Sequence, residues 1–132
     1  MRIPSLAALA LLAGCAVLPP GSGAPGAVQD AAQVPQIYID AYRDGDANRI
    51  ASLFAPDATF VPLLGMPRFQ GPEAVRAYYQ RAISSTRARS ITPSGEIVQD
   101  YGNLIVRSAD VVIDQEFPDG RKVSTPARRS FV

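Results

Sequence analysis

The stretch IYIDAYRDGDANRIASLFAPDATF, residues 37–60, decides the fold that we predict for this chain. It begins within a run of apolar residues spaced as on one helix face: Val34, Ile37, Tyr38, Ala41 and Tyr42. Gly45 is typical of the left-handed residue that ends a helix, and Asp46 is suited to cap the next one. Pro56 and Asp57 predict the end of that second, short helix. A first strand is expected over residues 58–61.

The remainder of the chain predicts one more helix and then a sheet. Residues 62–72 are rich in glycine and proline and predict a loop, and Pro72 and Glu73 are suited to the first turn of a third helix, which ends near residues 84–86. From Arg87 the period of the pattern changes to two, which predicts strands over 87–99, 104–113 and 121–132. Pro93 and Gly95 indicate a bulge in the first of these strands. Helices followed by an antiparallel meander define an α+β class, with a curved sheet that closes on the first helix.

Composition excludes several function classes. A chain of 132 residues with 47% hydrophobic and 19% charged residues has the balance of a globular domain. Thirteen basic residues oppose twelve acidic ones, which argues against a nucleic-acid binder that neutralises phosphates. The sequence has no histidine, so it lacks the commonest general base and the commonest metal ligand. We expect no metal, no cofactor and no nucleic-acid partner.

The N-terminus predicts export and attachment to a membrane. Arg2 and a Leu/Ala-rich run, shorter than the roughly twenty residues that span a bilayer, indicate a signal peptide over residues 1–14. Leu-Ala-Gly-Cys at 12–15 resembles a bacterial lipobox, and this resemblance implies acylation of Cys15 and a mature chain that begins there. Ala16 after the cysteine implies the periplasmic face of the outer membrane. The alternative is an ordinary signal peptide with a coincidental cysteine. Residues 15–32 would form a tether and residues 33–132 the domain.

A family resemblance covers residues 30–132. YRDGDANRIASLFAPDATF at 42–60, followed by a Gly-Pro-Glu-Ala helix and a meander, resembles the nuclear-transport-factor-2-like, or SnoaL-like, cone. Ala-Arg-Arg-Ser-Phe-Val at 127–132 resembles a strand signature of the SgcJ/EcaC group and of the related association domain of calcium/calmodulin-dependent protein kinase II. In that group another strand follows, so we expect that this sequence is truncated at its C-terminus. The alternative is a version without this strand, whose exposed sheet edge would favour association.

The same cone houses ketosteroid isomerase, and this resemblance suggests site residues. It places the oxyanion-donating tyrosine at Tyr38, the general base at Pro62 and the second oxyanion donor at Arg128. One donor is kept, the base is replaced by proline, and an acid is replaced by a cation. Such a site could hold a carboxylate or an enol-like anion, but it has no evident base. A slip of one residue in the last alignment would turn Arg128 to the other face of the sheet.

Each candidate residue has a structural alternative. Tyr38 and Tyr42 are expected to contact a ligand, but Tyr38 is also compatible with plain packing. Arg128, the third candidate ligand-binding residue, could instead form an ion pair with Asp110 across the sheet. Asp110 is the candidate catalytic residue, as a general base if the apolar strand raises its pKa. A direct Asp110–Arg128 pair would favour a structural role, and a cavity that contains both residues unpaired would favour an enzyme.

Two function classes follow. The first is a lipid-anchored binding or assembly domain that holds a small apolar or anionic ligand and forms a homodimer through its sheet. The second is a SnoaL-like cyclase, isomerase or hydrolyase that uses Asp110, Tyr38 and Arg128. We favour the first because the isomerase base is absent and the fold alone carries little chemistry. Whether the protein is an enzyme stays open at this point.

Overall fold

The computed structural model describes residues 31–62 and 65–132. The predicted signal peptide, Cys15 and all but the last residues of the predicted tether lie outside this part of the chain. A 3-10 turn (Ala31–Gln33) leads into a series of helices and strands, in chain order: α1 (Val34–Asp44), α2 (Ala47–Ala51), β1 (Thr59–Phe60), β2 (Phe69–Gln70), α3 (Gly71–Ser84), β3 (Ala88–Asp100), β4 (Ile105–Glu116) and β5 (Lys122–Phe131). The predicted α+β class, helices followed by an antiparallel meander, is confirmed.

Two adjacent residues make the turn between α1 and α2. Gly45 has φ of 76°, and its N–H group donates to the carbonyl of Tyr42, so that it closes the last turn of α1 in the left-handed conformation. The Asp46 carboxylate accepts a hydrogen bond from the Arg49 amide at 2.9 Å, which satisfies a free donor at the start of α2. Both roles were predicted from the sequence and are confirmed.

The main sheet has the strand order β3-β4-β5 and is antiparallel throughout. Ile91 pairs with Ile113, and Ile113 pairs with Thr125. The register shifts between Ser94 and Ile97, which confirms the predicted bulge. Strand β4 runs to Glu116, three residues beyond its predicted end.

A second, two-stranded sheet lies beside the helices. Thr59 pairs with Gln70 and Phe60 pairs with Phe69. The prediction of a loop over residues 62–72 was therefore wrong for β2, because a strand of two residues is too short to show a period. This pairing brings Phe60 and Phe69 together, with ring centroids 6.4 Å apart.

The core lies between the helices and the inner face of the main sheet. Its buried apolar members are Tyr38, Ala41, Tyr42, Ala47, Ile50, Phe60, Val75, Tyr79, Ile91, Val111 and Ile113. Ile50 and Val75 are completely buried, and burial of such a side chain contributes about 1.5–3 kcal/mol. The apolar stripes of the first and third helices are buried, as predicted: α1 packs on β3, and α3 packs on α2 and the two-stranded sheet. Among the described residues, no helix has the length and apolar character needed to cross a bilayer.

Candidate functional site

A hollow of about 640 Å³ lies between the start of α1, strand β1 and the adjoining ends of β4 and β5. Its size falls within the range of small-molecule sites, about 300–1,000 Å³. Much of the wall is aliphatic or aromatic: Val34, Leu53, Phe54, Phe60, Val61, Ile105 and Phe131. Ala31 and Val132 are exposed and form part of its rim. A ligand in this hollow would mainly contact hydrocarbon.

Tyr38 is one of the polar side chains that line the hollow. Helix α1 places it on the buried face, where it is 3% exposed, and its hydroxyl lies 2.7 Å from the hydroxyl of Tyr79 on α3. The Phe131 ring packs edge-on against the Tyr38 ring, with centroids 5.5 Å apart. Burial raises the pKa of Tyr79 well above its usual value, so Tyr79 is a neutral phenol at physiological pH. Tyr38 therefore both borders the hollow and joins a buried hydrogen bond.

Tyr42 lies one helical turn further along α1 and is 5% exposed. Its hydroxyl accepts a hydrogen bond from the Gln115 side-chain amide at 3.2 Å. Burial is also the main cause that raises the pKa of Tyr42. Tyr42 is not among the residues that line the hollow. The structure places Tyr42 in the core, and this corrects the expectation that it contacts a ligand in the hollow.

Arg128 lies on the outer face of the sheet, and this corrects its expected orientation toward Tyr38. Residue 128 borders the hollow, but its guanidinium donates through Nε to Asp110 Oδ1 at 2.8 Å, across strands β4 and β5. Both side chains are more than half exposed. The physical reason is register: side chains on a strand alternate between faces, so a slip of one residue exchanges the two faces. The predicted alternative, a direct Asp110–Arg128 pair, is confirmed.

Asp110 is therefore poorly placed to act as a general base in the hollow. The hydrogen bond from Arg128 lowers the pKa of its carboxyl group, whereas the proposal of a base required a raised pKa. The carboxyl also faces away from Tyr38. Asp110 and Arg128 stabilise each other on the surface of the sheet instead.

The arginine that faces the hollow from this part of β5 is Arg129, which was not predicted from the sequence. Its Nη1 donates to the carbonyl of Pro62 at 2.9 Å, and its guanidinium carbon lies 6.0 Å from the centroid of the Tyr38 ring. Its Nε is buried and has no hydrogen-bond partner among the described residues. The alternation of Ala127, Arg129 and Phe131 on the half-buried face is the sequence feature that could have identified it.

A second arginine, Arg107 of β4, also lines the hollow. Its Nη1 donates to Glu96 at 3.0 Å and to the carbonyl of Ala32 at 3.3 Å. Its charge is therefore compensated by a carboxylate. Among the residues that the structure describes, the lining contains no carboxylate side chain. No group of three potential metal ligands occurs in this part of the chain.

This arrangement, an α+β cone whose helices cap a curved antiparallel sheet over a hollow, is the nuclear-transport-factor-2-like fold. Residues 36–131 match the model of the SnoaL-like domain, and the chain belongs to this family.

Solved structures share the fold. One is a candidate aromatic ring hydroxylase from Novosphingobium aromaticivorans, with a TM-score of 0.69 and 19% identity over 76% of this chain and 72% of that one. A candidate calcium/calmodulin-dependent protein kinase II association domain from Xanthomonas campestris has a TM-score of 0.66 and 18% identity, over 76% and 71%. A candidate dehydratase of the NTF2-like family from Streptomyces avermitilis has a TM-score of 0.66 and 18% identity, over 75% and 79%. No curated protein sequence matched the chain.

Proposed function

We propose that this protein is a lipid-anchored SnoaL-like domain that binds a small, largely apolar ligand in the hollow beside Tyr38. The observation that carries this proposal is a cavity of about 640 Å³ with a mostly aliphatic and aromatic wall. Burial of apolar ligand surface at about 25 cal/mol per Å² supplies the driving force for binding. Tyr38, Arg107 and Arg129 would give the ligand its orientation.

The geometry favours binding over proton abstraction. The enzymatic alternative needs Asp110, Tyr38 and Arg128 together, but Asp110 and Arg128 pair on the opposite face of the sheet. At the place of the isomerase base, the backbone carbonyl of Pro62 instead accepts a hydrogen bond from Arg129. The neighbours named as hydroxylase and dehydratase share the fold at less than 20% identity, and a shared fold does not transfer a reaction.

The test measures binding of N-phenyl-1-naphthylamine, a neutral apolar dye that fluoresces when it leaves water. The protein is residues 16–132, which retain every described residue and the whole core between Tyr38 and Ile113. We expect a saturable rise in fluorescence with one site per chain. Native mass spectrometry of the same preparation would show any ligand that co-purifies. Absence of saturable dye binding would overturn the proposal.

Matched variants locate the dye. Ala58 lines the hollow, so Ala58→Trp should fill it and abolish binding. Ala88 is exposed on β3 and does not line the hollow, so Ala88→Trp should bind the dye as the unaltered protein does. If Ala58→Trp does not fold, Ala31→Trp at the exposed rim should still weaken binding. If neither Ala31→Trp nor Ala58→Trp changes dye binding, the dye binds outside the hollow.

A further inference from the structure

Three arginines surround the hollow, and they differ in how their charge is compensated. Arg107 donates to Glu96 at 3.0 Å, and Arg128 donates to Asp110 at 2.8 Å. Arg129 forms no ion pair with any carboxylate of the described residues. Its Nη1 donates instead to the backbone carbonyl of Pro62. Within the described part of the chain, Arg129 is thus an uncompensated cation on the wall of an apolar hollow.

A guanidinium on an apolar wall, without an ion pair to a described carboxylate, is an unusual arrangement. The Arg129 side chain is half-buried and carries a positive charge into the wall of the hollow. The carbonyl of Pro62 satisfies one N–H group but supplies no negative charge. The Nε–H is sealed from solvent and lacks an acceptor among the described residues. Cations that are withdrawn from water are generally paired with anions, and the described residues supply none to Arg129.

We infer that Arg129 recognises the carboxylate of an apolar monocarboxylic acid that binds in the hollow. This inference rests on the proposed function, since it assigns a chemical class to the ligand of that same hollow. One uncompensated cation calls for one negative charge, because Glu96 already compensates Arg107. A planar carboxylate matches the fork of a guanidinium, and the hydrocarbon wall accepts the rest of the molecule.

A polyanion such as a phosphate ester fits this hollow less well. It carries more charge than one free guanidinium compensates, and the remaining wall is mostly hydrocarbon. A neutral apolar ligand would fill the space but leave the cation without its partner. The ring of Tyr38 covers one side of the guanidinium at 6.0 Å, so the carboxylate is expected to approach from the open space of the hollow.

The test compares 1-naphthylacetate with 1-naphthylacetamide, two probes of nearly the same shape that differ in charge. Each displaces N-phenyl-1-naphthylamine from residues 16–132. We expect the acid to bind at least about tenfold more tightly than the amide, the effect of one charge-assisted hydrogen bond. Arg129→Met should reduce this preference, measured as the ratio of the two affinities in the same variant, to near unity. Arg129→Lys, which keeps the charge without the fork, should retain part of it.

Controls separate this inference from the proposed function. Arg128→Met removes the neighbouring arginine on the other face and should leave the preference unchanged. If the dye binds but acid and amide bind equally, the inference fails and the proposed function stands. If the dye does not bind, the proposed function itself fails. Should Arg129→Met not fold, the preference of the unaltered protein decides.

One acidic residue, Asp30, lies outside the described residues. Asp30→Asn tests whether the Asp30 carboxylate, and not a ligand carboxylate, pairs with Arg129. We expect this variant to show the same preference for the acid as the unaltered protein. If the preference appears only in Asp30→Asn, the partner of Arg129 is internal and the inference is overturned.

Discussion

At the scale of single residues, the two tyrosines of the buried hydrogen bond have unequal surroundings. Tyr79 is 2% exposed and does not line the hollow, whereas Tyr38 does. If one hydroxyl is removed, the other loses its partner. A hydroxyl that stays buried without a partner costs about 1–3 kcal/mol, but one beside a hollow can still reach water.

We therefore expect Tyr38→Phe to lower the free energy of unfolding more than Tyr79→Phe does. The first substitution leaves the deeper hydroxyl without a partner and should cost about 2 kcal/mol, and the second about 1 kcal/mol. The double variant should cost less than the sum, because the two groups share one interaction. Urea unfolding followed by circular dichroism measures all three. Tyr101→Phe, at a site that is 61% exposed, is the control. Equal costs for the two single variants would contradict this asymmetry.

Burial of Tyr79 also predicts a loss of stability at alkaline pH. Its pKa is raised, chiefly by burial and then by Tyr38, so its neutral form is the one that the fold favours. A raised pKa means that this contribution is fully present below the unfolded value of about 10 and is lost as the pH rises through the folded value. The urea midpoint should change little up to about pH 9 and then be lower at about pH 10.5. The urea midpoint of Tyr79→Phe should fall less. Part of the fall should remain, because the pKa values of Tyr42 and Tyr78 are also raised. An equal fall in both proteins would refute this assignment.

At the scale of secondary structure, local chemistry made most elements predictable. The caps at Gly45 and Asp46 depend on single residues whose preferences are strong, so they could be predicted from the sequence. Strand β2 could not, since two residues carry no periodicity. Arg128 and Arg129 are identical neighbours, so the sequence itself does not show which one faces inward; only the register of β5 against β4 decides it. The prediction for this reason named Arg128, one position before the arginine whose charge faces the hollow.

The start of α3 depends on a second glycine. Gly71 has φ of 75°, its N–H group donates to the Ala58 carbonyl at 2.9 Å, and an added Cβ would lie 3.0 Å from the Pro56 carbonyl oxygen. Gly71→Ala therefore combines backbone strain with a close contact and should cost about 2–3 kcal/mol. Gly120→Ala is the matched control: φ is 82° and no atom lies within 4 Å of the added Cβ, so about 1 kcal/mol is expected. Thermal unfolding of both variants measures the difference. If both variants lose equal stability, the contact with Pro56 has no energetic role.

At the scale of the whole molecule, the two faces of the sheet differ. The inner face holds the core. On the outer face, polar pairs such as Ser108–Ser130, at 2.8 Å, and Asp110–Arg128 cross the strands. Val112 of β4 is 41% exposed, and further exposed apolar side chains lie near the turn between β3 and β4, where Ile97 is 57% exposed, Tyr101 61% and Leu104 43%. Grouped exposed apolar side chains indicate an interface.

We therefore propose that the homodimer expected from the sequence depends on the end of the β3–β4 hairpin near its turn. The double variant Ile97→Asp, Leu104→Asp should be monomeric in sedimentation velocity at concentrations where the unaltered protein is a dimer. The cause is the burial of carboxylates in an apolar contact. Val123→Asp, at an exposed site at the opposite end of the sheet, where it pairs with Gln115, is the control and should remain dimeric. A monomeric unaltered protein would contradict the prediction, as would a double variant that still dimerises.

The proposed lipid anchor would hold the hollow close to a membrane. Ala31 at its rim is sixteen residues beyond Cys15, and a chain of this length spans at most about 55 Å. One acyl chain alone binds a membrane only marginally, whereas several anchor stably. The full chain, expressed in a bacterium, should partition into the detergent phase of Triton X-114. Its intact mass should equal residues 15–132 plus acyl groups. Cys15→Ser should lack the acyl mass and keep residues 1–14, whereas Ser22→Ala should be processed normally. A mature chain that begins elsewhere, or one without acyl mass, would contradict the anchor and leave the binding hollow without a fixed distance to the membrane.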